Sequence, residues 1–353
     1  MPYAAVISAA LAIGAFSVTV SEIAEILAER IEEPYASFVL TFSAVIVEII
    51  LLFMIILEST HSPQALDTVK GGIISAVIVD MNVLLGIAVF VGGLGFEEQK
   101  HNEDTSSTYT TILLVASSAL LVPSIINYTD SQGGQLFEAS VLIAITLISF
   151  YVSIFIFQTK THQHFFKIEA KSRIFQIKKH REEINNSEHE DEKDEDDYLF
   201  DRMSNLYNFI IIFALIFFIG VFAEIFAKDG MQVADDLGIS AGFAGLIIAI
   251  IAVAPEILTA IKAAQNDEMQ RVVNIAMGAS TVSILLTVPT LMGLAYANDI
   301  YLTLDFNAFQ IGALILTIIL AWKTTDNGET NYFEGVSHLM FFASYAIIAT
   351  MYH

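Results

Sequence analysis

Leu27–Glu48, LAERIEEPYASFVLTFSAVIVE, and Asp235–Glu256, DDLGISAGFAGLIIAIIAVAPE, decide the fold of this chain. The two stretches align without a gap. Isoleucine recurs at 31 and 239, an aromatic ring at 35 and 243, alanine at 36 and 244 and at 44 and 252, and valine at 45 and 253. Each ends in a glutamate set deep in apolar sequence. An ionisable group near the middle of a membrane helix costs about 2.5–3.5 kcal/mol on insertion scales. A chain that accepts this cost twice, at matched places of two repeats, is expected to hold a cation there.

The rest of the chain is apolar enough to support that reading. Of 353 residues 55% are hydrophobic and only 16% charged, with a mean hydropathy of +0.64. A soluble protein of this length carries more charge, and runs of about 20 apolar residues are long enough to span a bilayer. The net charge of -23 misleads, because 11 acids fall within the 20 residues Glu182–Asp201. Cysteine is absent, so no disulfide framework exists. The opening MPYAAVISAALAIGAF lacks the basic start and cleavage site of a secretory signal and reads as the first span.

Spans are predicted at Tyr3–Ala28, Tyr35–Leu57, Gly71–Gly95, Tyr109–Tyr128 and Leu136–Gln158. They resume at Asn205–Ala227, Ile239–Ala263, Val272–Ala297, Leu304–Trp322 and Glu334–Tyr352. The chain so divides into a first five-helix repeat, 1–158, a polar linker, 159–204, and a second repeat, 205–353. Loops after odd-numbered spans hold Arg30, Lys100, Lys262, Arg271 and Lys323 and the linker's nine basic residues, against Lys70 and Lys228 after even-numbered ones. Cytoplasmic loops carry the excess of Lys and Arg, so the linker is expected inside and both termini outside. An odd number of spans per half inverts the second half, a recurring design in secondary transporters with ion sites near the midplane. The expected fold is an all-α integral membrane protein of ten transmembrane helices in two inverted five-helix repeats.

The candidate metal-binding residues follow from the spans that carry the glutamates and those after them. Glu48 shares a stripe with Thr41 and Ala44. Glu256 follows Pro255, which removes a backbone donor and frees a carbonyl near Ile251. Asp80 is a third intramembrane acid, with Asn82 beside it, and Asn274, Ser280, Ser283 and Thr287 add polar groups in the second half. Ser280, Ser283 and Thr287 fall on one face. Each also has a plainer reading: a buried acid can simply pair with a neighbouring helix, and membrane serines often bond back to their own backbone.

Hard cations want oxygen ligands, and calcium takes six to eight. Two glutamates could neutralise one divalent ion, with serines, carbonyls and water completing the shell. Burial disfavours a bare carboxylate, so protons and metal would compete for the same oxygens. That competition, exposed alternately to each side, suffices for cation/proton exchange.

Glu22, Glu25 and Glu29 share a face at the end of the first span, as an ion vestibule or a solvated helix end. Glu224 falls near the opposite surface, Glu33-Pro34 reads as a turn, and His338 as a packed or hydrogen-bonded histidine. In the linker, Lys167–Arg181 is a basic amphiphilic stretch suited to an anionic membrane surface. The acidic run after it reads as a soluble spacer or a calcium sensor. No EF-hand, P-loop, HExxH or dinucleotide fingerprint occurs. No cofactor and no nucleic acid are expected. The partners are the transported cation, protons and the bilayer.

At these residues the chain resembles the calcium:cation antiporter superfamily, in the branch of bacterial ChaA-type calcium (sodium, potassium)/proton antiporters. The matching segments are EPYASFVLTFSAVIVEI around Glu48, QTKTHQHFF before the acidic linker, APEILTAIKAAQNDEMQRVVNIAMGASTVSILLTVP around Glu256, and TDNGETNYFEGVSHLMFFASYAIIATMYH. The resemblance implies an antiporter core in which Glu48 and Glu256 bind the transported ion. It implies Ca2+/proton exchange in a prokaryotic inner membrane, with sodium or potassium/proton exchange at the same site as the alternative and a channel as a rival from another class. It also places the second-repeat GS motif at Gly278-Ala279, near Ser280 and Ser283, and Asp80 where wider members have asparagine. Two departures stand out. Wider members carry GNAxE before each glutamate, whereas Val45 and Val253 replace the asparagine here. The additional N-terminal helix usual in that family is not expected before Tyr3.

Overall fold

The structure, a computed structural model, describes residues 2–30, 35–129, 134–161 and 199–351. The turn expected at Glu33-Pro34, the basic stretch Lys167–Arg181 and most of the acidic run lie outside the described residues, as do the side chains of Glu29, Thr41 and Ala44.

In a bilayer every backbone N–H and C=O must be satisfied within the protein, so long apolar runs close into helices. Ten long helices form among the described residues: α1 Pro2–Arg30, α2 Tyr35–Leu57, α3 Ala65–Gly95, α4 Glu103–Thr129, α5 Gly134–Ile156, α6 Asn205–Leu237, α7 Ala241–Gln265, α8 Met269–Ala297, α9 Ala308–Thr325 and α10 Tyr332–Met351. They are the ten expected spans, arranged as two inverted sets of five. Several run further than their apolar stretch. α3 begins at Ala65, so Lys70 is a helical residue, where it pairs with Asp305 at 2.9 Å and Asp67 at 3.3 Å. α4 starts at Glu103, and α6 continues to Leu237 before Gly238, at φ 63, turns the chain into α7. α9 starts later than Leu304, because Asn307 and Gln310 cap it reciprocally.

Burial sorts the helices into a centre and a rim. In their most apolar stretches α3 and α8 are 83% and 72% buried, whereas α1, α5, α6 and α10 are each 22% buried. Rim side chains such as Leu11, Phe213 and Phe217 are bare, as a lipid-facing surface requires. α1 lies along α6 as a pair, and α3 is sandwiched between α7 and α10. The crossing of α3 with α7 is backbone to backbone: a Cβ on Gly245 would lie 2.6 Å from Gly71 C and 2.7 Å from Thr68 O. Small residues permit such close approach in membrane proteins.

At one end of the bundle the two repeats are tied together. β1, Gln99–Lys100, pairs antiparallel with β2, Glu329–Thr330. Gln99 folds over Gly92 and donates to Ala264 O at 2.9 Å and Asp267 Oδ1 at 3.0 Å, bonding the last turn of α7. At the same end Arg271, in the first turn of α8, pairs with Glu25 of α1 at 3.1 Å and with Glu268 at 3.4 Å. Glu25 is therefore an ion-pair partner and no bare helix end, while Glu224 is exposed.

Candidate functional site

α3 and α8 are not uniform helices. Each is interrupted by one π turn, Asp80–Leu84 in α3 and Ser283–Thr287 in α8. The two turns occupy the same place in the third helix of each repeat, so Asp80 and Ser283 correspond. A π turn inside an α-helix disturbs the i→i−4 ladder, and such turns gather at functional sites.

The acids meet the hydroxyls across the repeat boundary. Ser283 Oγ donates to Glu48 Oε2 at 2.8 Å, and Thr287 Oγ1 donates to the same oxygen at 3.1 Å. Ser280 Oγ donates to Asp80 Oδ2 at 2.9 Å. In both pairs the first repeat supplies the acid and the second the hydroxyl. Glu256, on α7, has no side-chain partner of that kind, because its counterpart to Ser283 is the carboxylate of Asp80. The three carboxylates lie close enough for their charges to act on one another.

Glu48 is 8% exposed and Asp80 1%. Among the described residues Glu48 Oε1, Asp80 Oδ1 and Glu256 Oε2 are buried without a hydrogen-bond partner, and no ion pair reaches these acids. Buried polar atoms are nearly always satisfied, so three orphaned carboxylate oxygens in one region stand out as the candidate site. No three His, Asp or Glu side chains among the described residues are gathered tightly enough to hold a metal alone. Hydroxyls donate to one oxygen each of Glu48 and Asp80 in this arrangement.

Of the sequence candidates, Glu48, Asp80, Ser280 and Ser283 are joined by hydrogen bonds, and Glu256 stands beside them. Asn274 does not join them: its Oδ1 accepts from Gln270 Nε2 at 2.9 Å, six residues before Ser280. Thr287 also belongs with Glu48, at a longer distance than Ser283. The shared face of the three hydroxyls pointed to it, but that face meets two acids, Asp80 at Ser280 and Glu48 at Ser283 and Thr287. Pro255 is buried within an unbroken α7.

The chain matches the family described as sodium/calcium exchanger protein over residues 1–160 and 207–351. It belongs to that family. Within it, the chain is 27% identical over 326 residues to the sodium-potassium/proton antiporter ChaA of Escherichia coli (strain K12), covering 91% of this chain and 82% of that one. It is 24% identical over 288 residues to a Ca(2+)/H(+) antiporter of Synechocystis, covering 80% of this chain and 74% of the relative. The exchanger fold is shared with native YfkE, at a TM-score of 0.76 and 20% identity over 98% of this chain and 92% of that one. It is shared also with the H+/Ca2+ exchanger CAX, at 0.69 and 13% identity over 99% and 85%. This sodium/calcium exchanger family member is a multi-pass membrane protein.

Proposed function

We propose that this protein is a secondary active antiporter that exchanges Ca2+ for protons by alternating access, with Glu48 and Glu256 as the shared proton- and metal-binding carboxylates. The observation that carries the reading is the set of orphaned carboxylate oxygens of Glu48, Asp80 and Glu256 buried between the repeats. A bare buried carboxylate is costly, so each must take a proton or a cation, and one occupant excludes the other. Asp80, Ser280, Ser283 and Thr287 would complete the oxygen shell, and Asn274 would line the approach to it. Nothing in this scheme calls for a cofactor or an enzymatic step. The working unit would be the repeats 1–158 and 205–353, joined by a cytoplasmic linker, 159–204. Both termini would lie outside a prokaryotic inner membrane, as the excess of basic residues after odd-numbered spans supports.

Sodium or potassium exchange at the same site is the second reading. It is favoured by the E. coli relative named for those ions and by Val45 and Val253, whose side chains offer no ligand oxygen. Everted vesicles carrying a preset pH gradient separate the two. Calcium is expected to dissipate the gradient at lower concentration than sodium or potassium. If sodium or potassium does so first, the second reading holds; if no cation does so, antiport is wrong.

A further inference from the structure

On the side of α3 away from Ser280, the π turn is held by a second polar network, which the exchange scheme does not use. Asn82 lies within the turn and is fully buried, as are His338 and Thr317. Its Nδ2 donates to Ile78 O at 3.1 Å and to Thr317 Oγ1 at 3.0 Å. Its Oδ1 meets His338 Nδ1 at 3.0 Å, and His338 Nε2 meets Thr324 Oγ1 at 2.9 Å.

Chemistry fixes the donor roles in this chain. The Ile78 carbonyl can only accept, so the amide nitrogen of Asn82 must face it. The amide oxygen is thereby turned to His338 and can also only accept. His338 Nδ1 therefore carries a hydrogen and donates. Asn82 Nδ2 thus spends both of its hydrogens, and the imidazole uses both of its nitrogens.

The imidazole is also fixed in place by its helix. A Cβ on Gly335 would lie 2.7 Å from Phe90 Cα and 2.8 Å from Gly86 O, and one on Gly86 would lie 2.8 Å from His338 Cβ. α10 is thus locked against α3 at that level. The bond from Asn82 Nδ2 to Ile78 O spans the place where the regular ladder gives way to the π turn. Asp80, two residues before Asn82, is the first residue of the same turn and accepts from Ser280.

We propose that His338 is a positioning residue of the cation site. Its Nδ1–H fixes Asn82, Asn82 fixes the π turn of α3, and the π turn aims Asp80 across the repeat boundary. His338 touches no ion in this arrangement and sets cation affinity at a distance. The inference rests on the antiport reading above, and the test keeps the two apart.

The side chain of asparagine can place a donor where Nδ1 stands, whereas glutamine places one where Nε2 stands. Initial rates of cation-driven gradient dissipation in everted vesicles give the half-saturating calcium concentration and the maximal rate for wild type, H338N and H338Q at matched protein amounts. H338Q is expected to raise the half-saturating concentration about tenfold, as loss of an outer-shell partner does at metal sites, with the maximal rate within about twofold. H338N is expected to stay within about threefold of wild type in both. Equal values for H338Q and wild type overturn the proposal. So does a fall in maximal rate shared by H338N and H338Q, which marks a purely structural role. If H338Q does not accumulate in the membrane, N82A removes the acceptor instead and must raise the half-saturating concentration likewise; an unchanged value overturns the proposal. A wild type that responds to no cation sinks antiport itself, and is distinguishable because every variant then reads alike.

Discussion

Glu48→Gln is expected to abolish transport while leaving the folded protein at least as stable as the wild type. Glutamine keeps the volume of the side chain and offers a carbonyl oxygen to the hydroxyls of Ser283 and Thr287, which now donate to Oε2 at 2.8 and 3.1 Å. It loses only the ability to carry a negative charge or a proton in its place. A cation entering the site would then lack a charged partner, and an uncompensated buried charge costs about 3–5 kcal/mol. At 1.4 kcal/mol per factor of ten, flux should fall a hundredfold or more. The fold loses nothing comparable, because an amide is cheaper to bury than a carboxylate. Thermal unfolding in detergent together with flux in vesicles checks both halves. Flux within tenfold of wild type would remove Glu48 from the site. Glu256→Gln should give the same loss of flux, even though no hydroxyl faces that acid.

Gly245→Ala should have the largest effect on the fold itself. One added carbon at that position would run into the backbone of α3 at Gly71 C, Gly72 N and Thr68 O. Backbone cannot rotate out of the way as a side-chain tip can, so α7 and α3 must separate. Overpacking in a well-filled core costs about 1–3 kcal/mol, and a clash with fixed backbone belongs at or above the top of that range. The expected result is a lower unfolding temperature with transport lost in parallel, since α3 carries Asp80 and α7 carries Glu256. Gly220→Ala is the matched control: nothing lies within 4 Å of its added carbon, so stability should be unchanged or slightly higher. A normal unfolding temperature for Gly245→Ala would mean that the helices can part there at little cost.

Much of this architecture is written openly in the chain. Apolar runs long enough to cross a bilayer have few other uses, and all ten spans were recognisable from them. The glutamates were conspicuous for the opposite reason, since carboxylates are scarce in such runs. Helix ends were harder to read. Lys70 and Asp67 look like loop residues, yet they extend α3 because Asp305 supplies a partner for the lysine. The π turns were invisible: Asp80–Leu84 and Ser283–Thr287 carry no residue pattern that distinguishes them from ordinary helix. The spacing of Ser280, Ser283 and Thr287 gives one shared face, whereas in the folded chain Ser280 donates to Asp80 and the other two to Glu48. His338 was legible as a hydrogen-bonded residue, but its partner Asn82 lies 256 residues away and only folding shows the pair.

The π turn of α3 also settles how one helix can serve two neighbours. From Gly72, whose added carbon would meet Leu52 of α2 at 2.6 Å, to Gly86, which faces α10, is 14 residues. At 3.6 residues per turn that separation falls only about 40° short of whole turns, so an uninterrupted helix would point both glycines the same way. One residue held out of register by a π turn shifts the screw phase by about 100°. The two glycine contacts are thereby sent to different sides of the rod. α3 is in effect two half-helices joined out of phase. Removing one residue from the joint would leave a plain helix with the same side-chain aim, whereas removing one outside it would re-aim every side chain beyond by about 100°.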